Sequence, residues 1–197
     1  MSNKTLYVSD LDGTLMRSDI KISDYSIKTI NELIGQGVAF TYATARSIDS
    51  AREITKDLKI KLPVITRNGS VLADNITGRS MEITVFKEED IRMAKKLIPE
   101  LPINGFVSCY IGDMMIKTYA DTKHTHGLEV FIDYYRDDPR MVKVPDIEGM
   151  FTGRPGYVTL ISSKEDLAPI YERVKDYEGW ECLFQKDTYR DEYWIEL

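Results

Sequence analysis

Two aspartates separated by one residue form the part of this sequence best suited to chemistry. Asp10 and Asp12 follow a short apolar run at residues 6–8, and Gly13 comes directly after them. The run predicts a short buried strand, and ligands of open α/β sheets bind just past the carboxyl ends of strands. One carboxylate can attack phosphorus or hold a hard cation such as Mg²⁺, while the other moves a proton. An ordinary acidic turn uses the same residue types, so both interpretations stand at this point.

The next two predicted strands also end in polar residues. After a helix over residues 21–37 comes a strand at 38–42, which Thr44 follows closely. After a second helix comes a strand at 62–66, which is followed by Asn68. A β-α-β-α-β order favours a right-handed parallel sheet, which gathers the residues after each strand at one edge. The glycine in Asp10-Leu-Asp-Gly comes too early for a calcium loop of the Asp-x-Asp-x-Asp-Gly kind.

Composition narrows the classes of partner. The chain has 197 residues, 43% of them hydrophobic, and a formal net charge of −6. This balance argues against a nucleic acid or an anionic membrane surface, which need a basic face, but not against a small phosphorylated ligand. No apolar run approaches the 18 or so residues of a membrane span, and residues 1–4 do not look like a signal peptide. Cys109 and Cys182 lack a nearby partner, which predicts reduced thiols in a cytoplasmic protein.

The second half of the chain changes in character. Residues 70–85 predict a hairpin, and we place a domain boundary near residues 82–87, giving domains 1–84 and 85–197. The second domain mixes short strands with helices, which predicts an α+β unit. Residues 137–156 are rich in proline and glycine and predict an irregular connection. His124 and His126 could serve a metal on a strand, but the sequence offers no third ligand cluster beside them.

Three short motifs together carry a family resemblance. They are Asp10-Leu-Asp-Gly-Thr-Leu15, Ala43-Thr-Ala-Arg46 and Asn68-Gly69, in this order. With them the chain resembles the haloacid dehalogenase (HAD) superfamily, and within it the Cof-type sugar-phosphate phosphatases that carry a large α/β cap. The resemblance implies an incomplete HAD (Rossmann-like) parallel-sheet core in residues 1–84 and an α+β cap domain in residues 85–197. It implies a Mg²⁺-dependent phosphohydrolase acting on a small phosphorylated metabolite such as a sugar phosphate.

The resemblance also implies roles for individual residues. Asp10 would be the nucleophile that forms an aspartyl-phosphate, and its carboxylate would touch Mg²⁺. Asp12 would act as general acid and base, and its backbone carbonyl would be a metal ligand. The remaining residues would bind the phosphate or line its pocket: Leu11, Gly13, Thr44, Asn68 and Gly69.

Two departures from the family pattern leave alternatives open. Ala45 stands where these phosphatases usually have glycine, which would strain the backbone if its φ were positive. The family supplies a lysine and an acidic pair after the cap, and this sequence stops at Leu197, about where that return would begin. A truncated, catalytically inactive relative that binds phosphate or metal weakly is therefore the alternative, as is a core completed by another chain. The first strand would then be an edge strand, which predicts a homo-oligomer through that edge.

Overall fold

The computed structural model describes residues 5–187 and 190–197 and confirms the α/β class. The chain divides into two compact units, one ending at Thr84 and the other covering Val85–Leu197. We call them unit 1 and unit 2 and describe each by itself. Across the described ranges, no helix combines the length and the apolar character that crossing a membrane requires.

Unit 1 contains a sheet with parallel and antiparallel parts. Its elements are β1 (Leu6–Asp10), α1 (Asp24–Gly35), β2 (Ala39–Ala43), α2 (Ile48–Thr55), β3 (Val64–Thr66), β4 (Val71–Ala73) and β5 (Ser80–Ile83). The strands lie in the order β1-β2-β3-β4-β5. β1, β2 and β3 are parallel, while β4 and β5 add an antiparallel hairpin. The predicted β-α-β-α-β order and the hairpin after it are confirmed.

Serine side chains define where both helices of unit 1 begin. Ser23 Oγ accepts a hydrogen bond from the backbone N–H of Ser26 at 3.0 Å, and Ser47 Oγ accepts from Ser50 N–H at 3.3 Å. These bonds satisfy N–H groups that have no partner inside the helix. Because Ser47 caps α2, this helix begins directly after the Thr44-Ala-Arg46 segment at the end of β2.

Strand β1 forms one edge of the described sheet of unit 1. It pairs with β2 in register from Leu6↔Ala39 to Asp10↔Ala43. The prediction of an edge strand is confirmed, but the prediction of a buried one is wrong. Leu6, Tyr7 and Val8 are 54%, 55% and 48% exposed, because in the described structure a strand lies beside β1 on one side only.

Unit 2 is built on a mainly antiparallel sheet. Its elements are α3 (Glu88–Leu97), β6 (Phe106–Ile111), β7 (Met114–Ala120), α4 (His126–Tyr134), β8 (Met141–Val144), β9 (Arg154–Ser162), α5 (Lys164–Val174), β10 (Leu183–Lys186) and β11 (Tyr193–Glu196). The described strands lie in the order β10-β11-β9-β6-β7-β8. Neighbours are antiparallel, except that β8 runs parallel to β7.

The prediction of an irregular connection over residues 137–156 is wrong in part. This stretch contains β8 and the first residues of β9, including Pro155 and Gly156. Proline lacks the N–H that a sheet ladder needs and is tolerated at bulges. Pro155 lies opposite Cys109 just where the pairing of β6 with β9 shifts register, which is such a place.

Hydrophobic cores cover both faces of the sheet in unit 2. On one face, Val107 and Leu160 pack with residues of α3 and α5 such as Leu97 and Leu167. We call this the α3/α5 face. On the other, the α4 face, the packed residues come from two strands and from α4: Phe106, Leu128, Phe131 and Ile161.

Candidate active site

Asp10 is the last residue of β1 and turns its carboxylate toward the loop that follows. Its Oδ1 accepts a hydrogen bond from the backbone N–H of Leu11 at 2.7 Å, and the residue is exposed. The loop then closes on itself, since Met16 N–H donates to the Leu11 carbonyl at 2.8 Å. Gly13 lies in this loop at φ +71°. This conformation is unfavourable for any residue that has a Cβ atom. The turn therefore presents a carboxylate at the carboxyl end of a parallel strand, as the sequence predicts.

A salt bridge fixes the carboxylate of Asp12. Arg46 Nε donates to Oδ2 at 2.9 Å and Nη2 donates to Oδ1 at 2.7 Å, so both oxygens are held by one guanidinium. The side chains of Arg46 and Asp12 are 21% and 23% exposed. Paired, charge-assisted bonds of this kind are strong and directional. Arg46 thus fixes the orientation of the Asp12 carboxylate.

Thr44 connects the second and third motifs. Its N–H donates to the Ile65 carbonyl at 3.0 Å, and its carbonyl accepts from Asn68 N–H at 3.3 Å. Its Oγ1 accepts from Arg46 N–H at 3.2 Å. Thr44 is 5% exposed, and its hydroxyl keeps a proton that it can donate to a bound anion.

The segment after β3 holds an uncommon backbone conformation. Arg67, Asn68 and Gly69 have φ values of +52°, +53° and +94°. Residues other than glycine adopt such values rarely, and clusters of them are found at binding and catalytic sites. Arg67 N–H donates to the Arg46 carbonyl at 3.1 Å, which ties this segment to the end of β2.

A single network within unit 1 thus joins three of the predicted site residues. It runs from Asp12 through Arg46 and Thr44 to Asn68, and Asp10 lies two residues from Asp12 in the sequence. The Leu11 N–H is engaged by Asp10, so it is shared between that carboxylate and any phosphate the turn would cradle. Ala45 is not among the residues with positive φ, so its departure from glycine carries no backbone strain.

Arg46 is a side chain of this network to which the motifs alone assign no role. It is visible in the sequence, two residues after Thr44 within the second motif. A residue type alone does not reveal that its side chain reaches a carboxylate 34 positions earlier in the sequence. That contact depends on β1 and β2 lying side by side in parallel register.

The oxygen atoms at this site are of the type that binds Mg²⁺. The candidate ligands, the Asp10 carboxylate and the Asp12 carbonyl, are hard oxygens, and Mg²⁺ commonly keeps several waters beside one or two protein ligands. Residues 5–187 and 190–197 contain no cluster of three or more His, Cys, Asp or Glu side chains that could hold a metal. His124 of unit 2, which the sequence offered as a metal ligand, has its Nε2 atom 3.0 Å from the backbone carbonyl oxygen of Ala120.

The comparisons with known proteins establish the family. The haloacid dehalogenase-like hydrolase family matches residues 7–189, and the chain belongs to it. It is similar to 5-amino-6-(5-phospho-D-ribitylamino)uracil phosphatase YcsE of Bacillus subtilis, with 37% identity over 70 residues, covering 36% of this chain and 28% of that protein. It is also similar to phosphoglycolate phosphatase of Methanopyrus kandleri, with 28% identity over 97 residues, covering 49% of this chain and 40% of that protein.

Solved structures show the same fold. A phosphatase of the haloalkanoate (HAD) enzyme superfamily, BT1666 from Bacteroides thetaiotaomicron, superposes with a TM-score of 0.66 and 17% identity, covering 99% of this chain and 68% of that one. TM0651 from Thermotoga maritima gives a TM-score of 0.61 and 22% identity, covering 96% and 68%. The matched segments span less than half the length of the two curated relatives named above.

Proposed function

We propose that this chain carries the phosphoryl-transfer site of a HAD-type phosphatase acting on a small phosphorylated metabolite. The observation that carries the proposal is the arrangement in unit 1. Asp10 ends a parallel strand, and Arg46 connects the Asp12 carboxylate to Thr44, whose carbonyl accepts a hydrogen bond from the Asn68 backbone. Phosphoryl transfer needs positioned oxygens and hydrogen-bond donors more than elaborate covalent chemistry. Unit 2 would then be the cap domain.

In the proposed first step, a carboxylate oxygen of Asp10 attacks phosphorus. The bond between phosphorus and the ester oxygen breaks, and Asp10 becomes an aspartyl-phosphate. Asp12 gives its proton to the departing ester oxygen, so the substrate leaves as a neutral alcohol. The hydroxyl of Thr44 donates to a phosphoryl oxygen, and the exposed turn around Gly13 leaves room for the phosphate.

In the proposed second step, water releases the phosphate. Asp12, now ionised, accepts a proton from a water molecule that attacks the aspartyl-phosphate. The bond to the Asp10 oxygen breaks, which restores the free carboxylate and yields inorganic phosphate. The two hydrogen bonds from Arg46 fix the position of the Asp12 carboxyl group for both proton transfers.

Mg²⁺ is the proposed cofactor. The Asp10 carboxylate and the Asp12 backbone carbonyl would hold it. When bound, it would offset the negative charge of the phosphate and of Asp10, which otherwise repel one another.

We propose a sugar phosphate as substrate. Support comes from the relatives, whose names give a phosphoribityl compound in one case and phosphoglycolate in the other. These two substrates share a phosphate ester on a small hydroxylated or acidic carbon chain. The shared chemistry therefore supports a class of substrates and does not single out one compound.

The alternative is a relative without activity that binds phosphate or metal weakly, or that needs another chain to complete its core. Two observations support this alternative. The described residues offer two acidic ligands at the site but no cluster of three, and β1 has an exposed edge. With few acidic ligands for a metal, the nucleophile would lack part of the charge compensation that phosphoryl transfer requires, and the open edge of β1 leaves space for a strand from another chain.

Hydrolysis of a generic aryl phosphate separates these two proposals. Turnover is measured with and without Mg²⁺ for the unaltered chain, for Asp10→Asn and for Asp19→Asn. Asp19 is a matched control because it is an exposed aspartate of the same unit, paired with Arg17. Turnover that needs Mg²⁺, is lost in Asp10→Asn and persists in Asp19→Asn supports the enzyme. Absence of turnover in the unaltered chain supports the inactive relative.

We also propose that β1 pairs with a second copy of the chain. The support is an edge strand that exposes three successive large apolar side chains, an arrangement that invites strand pairing. Tyr7→Lys should shift the mass measured by light scattering toward the monomer, while Tyr25→Lys, on a 78% exposed position of α1, should not. A monomeric unaltered chain at the highest soluble concentration would contradict this proposal.

We propose the cytoplasm as the compartment. Support comes from the cysteines, which are both free. Burial raises the pKa of the Cys109 and Cys182 thiols to about 11, which makes them unreactive core residues and not nucleophiles. Fractionation of cells that express a tagged full-length protein tests this placement.

A further inference from the structure

A cavity of about 320 Å³ lies in unit 2, between α3 and the end of α5. Its walls come from α3 and the turn after it, from the last residues of α5 and from the segment that follows α5. Binding sites for small molecules have volumes of about 300–1,000 Å³, so this cavity suits a small ligand. All of its lining residues belong to unit 2, and the chemistry proposed for Asp10 uses none of them.

The buried part of the cavity wall is apolar. Leu97 and Val174 line it and belong to the hydrophobic core of the α3/α5 face. Met93 lies four residues before Leu97, on the same face of α3, and is 38% exposed. Methionine side chains adapt to the shape of what they contact. These three residues therefore offer an apolar surface to the body of a ligand.

Two aromatic side chains form another wall. The ring centroids of Tyr177 and Trp180 lie 4.3 Å apart, and both residues line the cavity. Trp180 Nε1 donates to the Val174 carbonyl at 3.3 Å, which holds the indole beside the end of α5. Aromatic side chains pack favourably against other rings in stacked and edge-on arrangements. The wall thus favours a ligand whose body is an aromatic ring.

The charged residues of the cavity leave a positive surplus. Two cations, Lys96 and Arg173, and one carboxylate, that of Glu100, line the cavity. Arg173 and Glu100 form an ion pair with each other. The surplus of one positive charge therefore resides on Lys96. A ligand with one negative charge would balance it.

The carbonyl groups at the ends of both helices are engaged and so repel an anion less. Helix carboxyl ends carry partial negative charge, and both α3 and α5 end beside the cavity. The Val174 carbonyl accepts from Tyr177 N–H at 3.2 Å as well as from Trp180 Nε1. Lys123 Nζ donates to two carbonyls in the turn after α3, at 2.7 and 2.8 Å. Hydrogen-bond donors and a further cation thus offset the charge of both helix ends.

The buried carboxylate of Asp90 is also compensated. Asp90 is 2% exposed, and it lies in the first turn of α3, where the helix dipole stabilises negative charge. Its Oδ2 accepts from Lys87 N–H at 3.1 Å, and its Oδ1 accepts from the Tyr177 hydroxyl at 3.4 Å. Its charge is therefore directed to groups other than a ligand in the cavity.

We propose that this cavity binds a small aromatic molecule that carries a single carboxylate. The ring would pack against Trp180 and the apolar wall, and the carboxylate would lie beside Lys96. The inference goes beyond the proposed function, because it concerns a ligand site within unit 2 and does not depend on hydrolysis.

Isothermal titration of the full chain compares three probes that share a benzene ring: phenylacetate, phenylacetamide and benzyltrimethylammonium. The first is an anion, the second is neutral and the third is a cation. Phenylacetate should bind most tightly of the three. Lys96→Met should weaken its binding by about threefold or more, and should leave the binding of phenylacetamide unchanged, because only the anion uses the charge.

Lys175→Met is the matched control. It removes the same charge from the residue after Val174, but Lys175 Nζ is paired with Glu172 at 2.6 Å and does not line the cavity. At about 0.15 M salt, exposed charges more than about 8 Å apart are largely screened, so this variant should bind phenylacetate normally. Met93→Glu places a carboxylate in the apolar wall and should weaken phenylacetate binding by about tenfold or more.

Fluorescence locates the bound probe. The chain has two tryptophans, and Trp194 packs in the core of the α4 face. A fluorescence change on adding phenylacetate should therefore disappear in Trp180→Phe, and its persistence there would overturn the assigned location. Amide spectra of each variant verify that the fold is retained.

The remaining outcomes also decide the inference. Absence of phenylacetate binding at about 10 mM would overturn it. Equal affinities for phenylacetate and phenylacetamide would do the same, and tighter binding of benzyltrimethylammonium would show a cation site instead. Asp10→Asn should bind phenylacetate as the unaltered chain does, whether or not the chain hydrolyses phosphate esters. Loss of binding in that variant would place the probe at the proposed catalytic site and refute the site in unit 2.

Discussion

The salt bridge between Asp12 and Arg46 should be worth far more than an ordinary surface ion pair. Exposed pairs contribute about 0–1 kcal/mol, whereas removing one partner of a fully buried pair costs about 3–5 kcal/mol. Here both carboxylate oxygens are bonded, and the side chains are only 21% and 23% exposed. A coupling energy of about 2 kcal/mol lies between those limits and matches a partly screened pair of charge-assisted bonds.

A double-mutant cycle with Asp12→Ala, Arg46→Met and the double variant measures this coupling directly. Tryptophan fluorescence would not report on it, because Trp180 and Trp194 both belong to unit 2. Hydrogen exchange of the slowest amides in β2 reports the free energy of unfolding of unit 1 instead.

A second cycle on Arg17 and Asp19 provides the control. That pair has an N–O distance of 3.0 Å but side chains that are 61% and 48% exposed, so its coupling should stay below about 0.5 kcal/mol. If the two cycles gave equal coupling energies, the argument that Arg46 fixes Asp12 would be refuted.

Three further predictions concern unit 2 and use its tryptophans as the probe in urea unfolding. Gly105→Ala should cost about 3 kcal/mol, since a Cβ there would lie 1.8 Å from a backbone oxygen of β9; a change below 1 kcal/mol would contradict this close approach. Ser163→Ala should cost about 1 kcal/mol, because Ser163 Oγ accepts from Asp166 N–H at the start of α5; no loss would show that the cap contributes nothing. Hydrogen bonds from Arg140 lower the pKa of Asp138 from 3.8 to about 2, so this carboxylate stabilises the fold above pH 4 and loses that effect as the pH falls toward 2. The stability difference between the unaltered chain and Asp138→Asn should therefore shrink between pH 6 and pH 3, and a constant difference would count against the assignment.

Much of unit 1 could be predicted because its signals are local. Apolar runs located β1, β2 and β3, and a helix was expected between β1 and β2. The residues after the three strands were expected at one sheet edge, and the network from Asp12 to Asn68 lies there. That expectation followed from the rule that parallel strands align their carboxyl ends.

What could not be predicted depends on contacts between distant segments. β8 is only four residues long, and it is stabilised by pairing with β7. Its short apolar pattern could not be recognised within a segment rich in proline and glycine, which predicts an irregular connection. Arg46 was visible, but its contact with Asp12 follows from strand pairing and not from spacing. The burial of Ser108 likewise could not be predicted, because it depends on how β6 pairs with its neighbours and on what packs against that face of the sheet.

Because β1 is an edge strand, the position of Asp10, the proposed nucleophile, depends on how often the strand is fully paired. In the described structure one ladder, with β2, holds the strand that ends in Asp10. Strand ends open and close, and each opening changes the position of the Asp10 carboxylate. The fraction of molecules in which Asp10 is held in place is then set by how often β1 is fully paired. If Asp10 acts as proposed, a partner that paired with the outer edge of β1 would raise turnover by increasing this fraction, without touching the substrate.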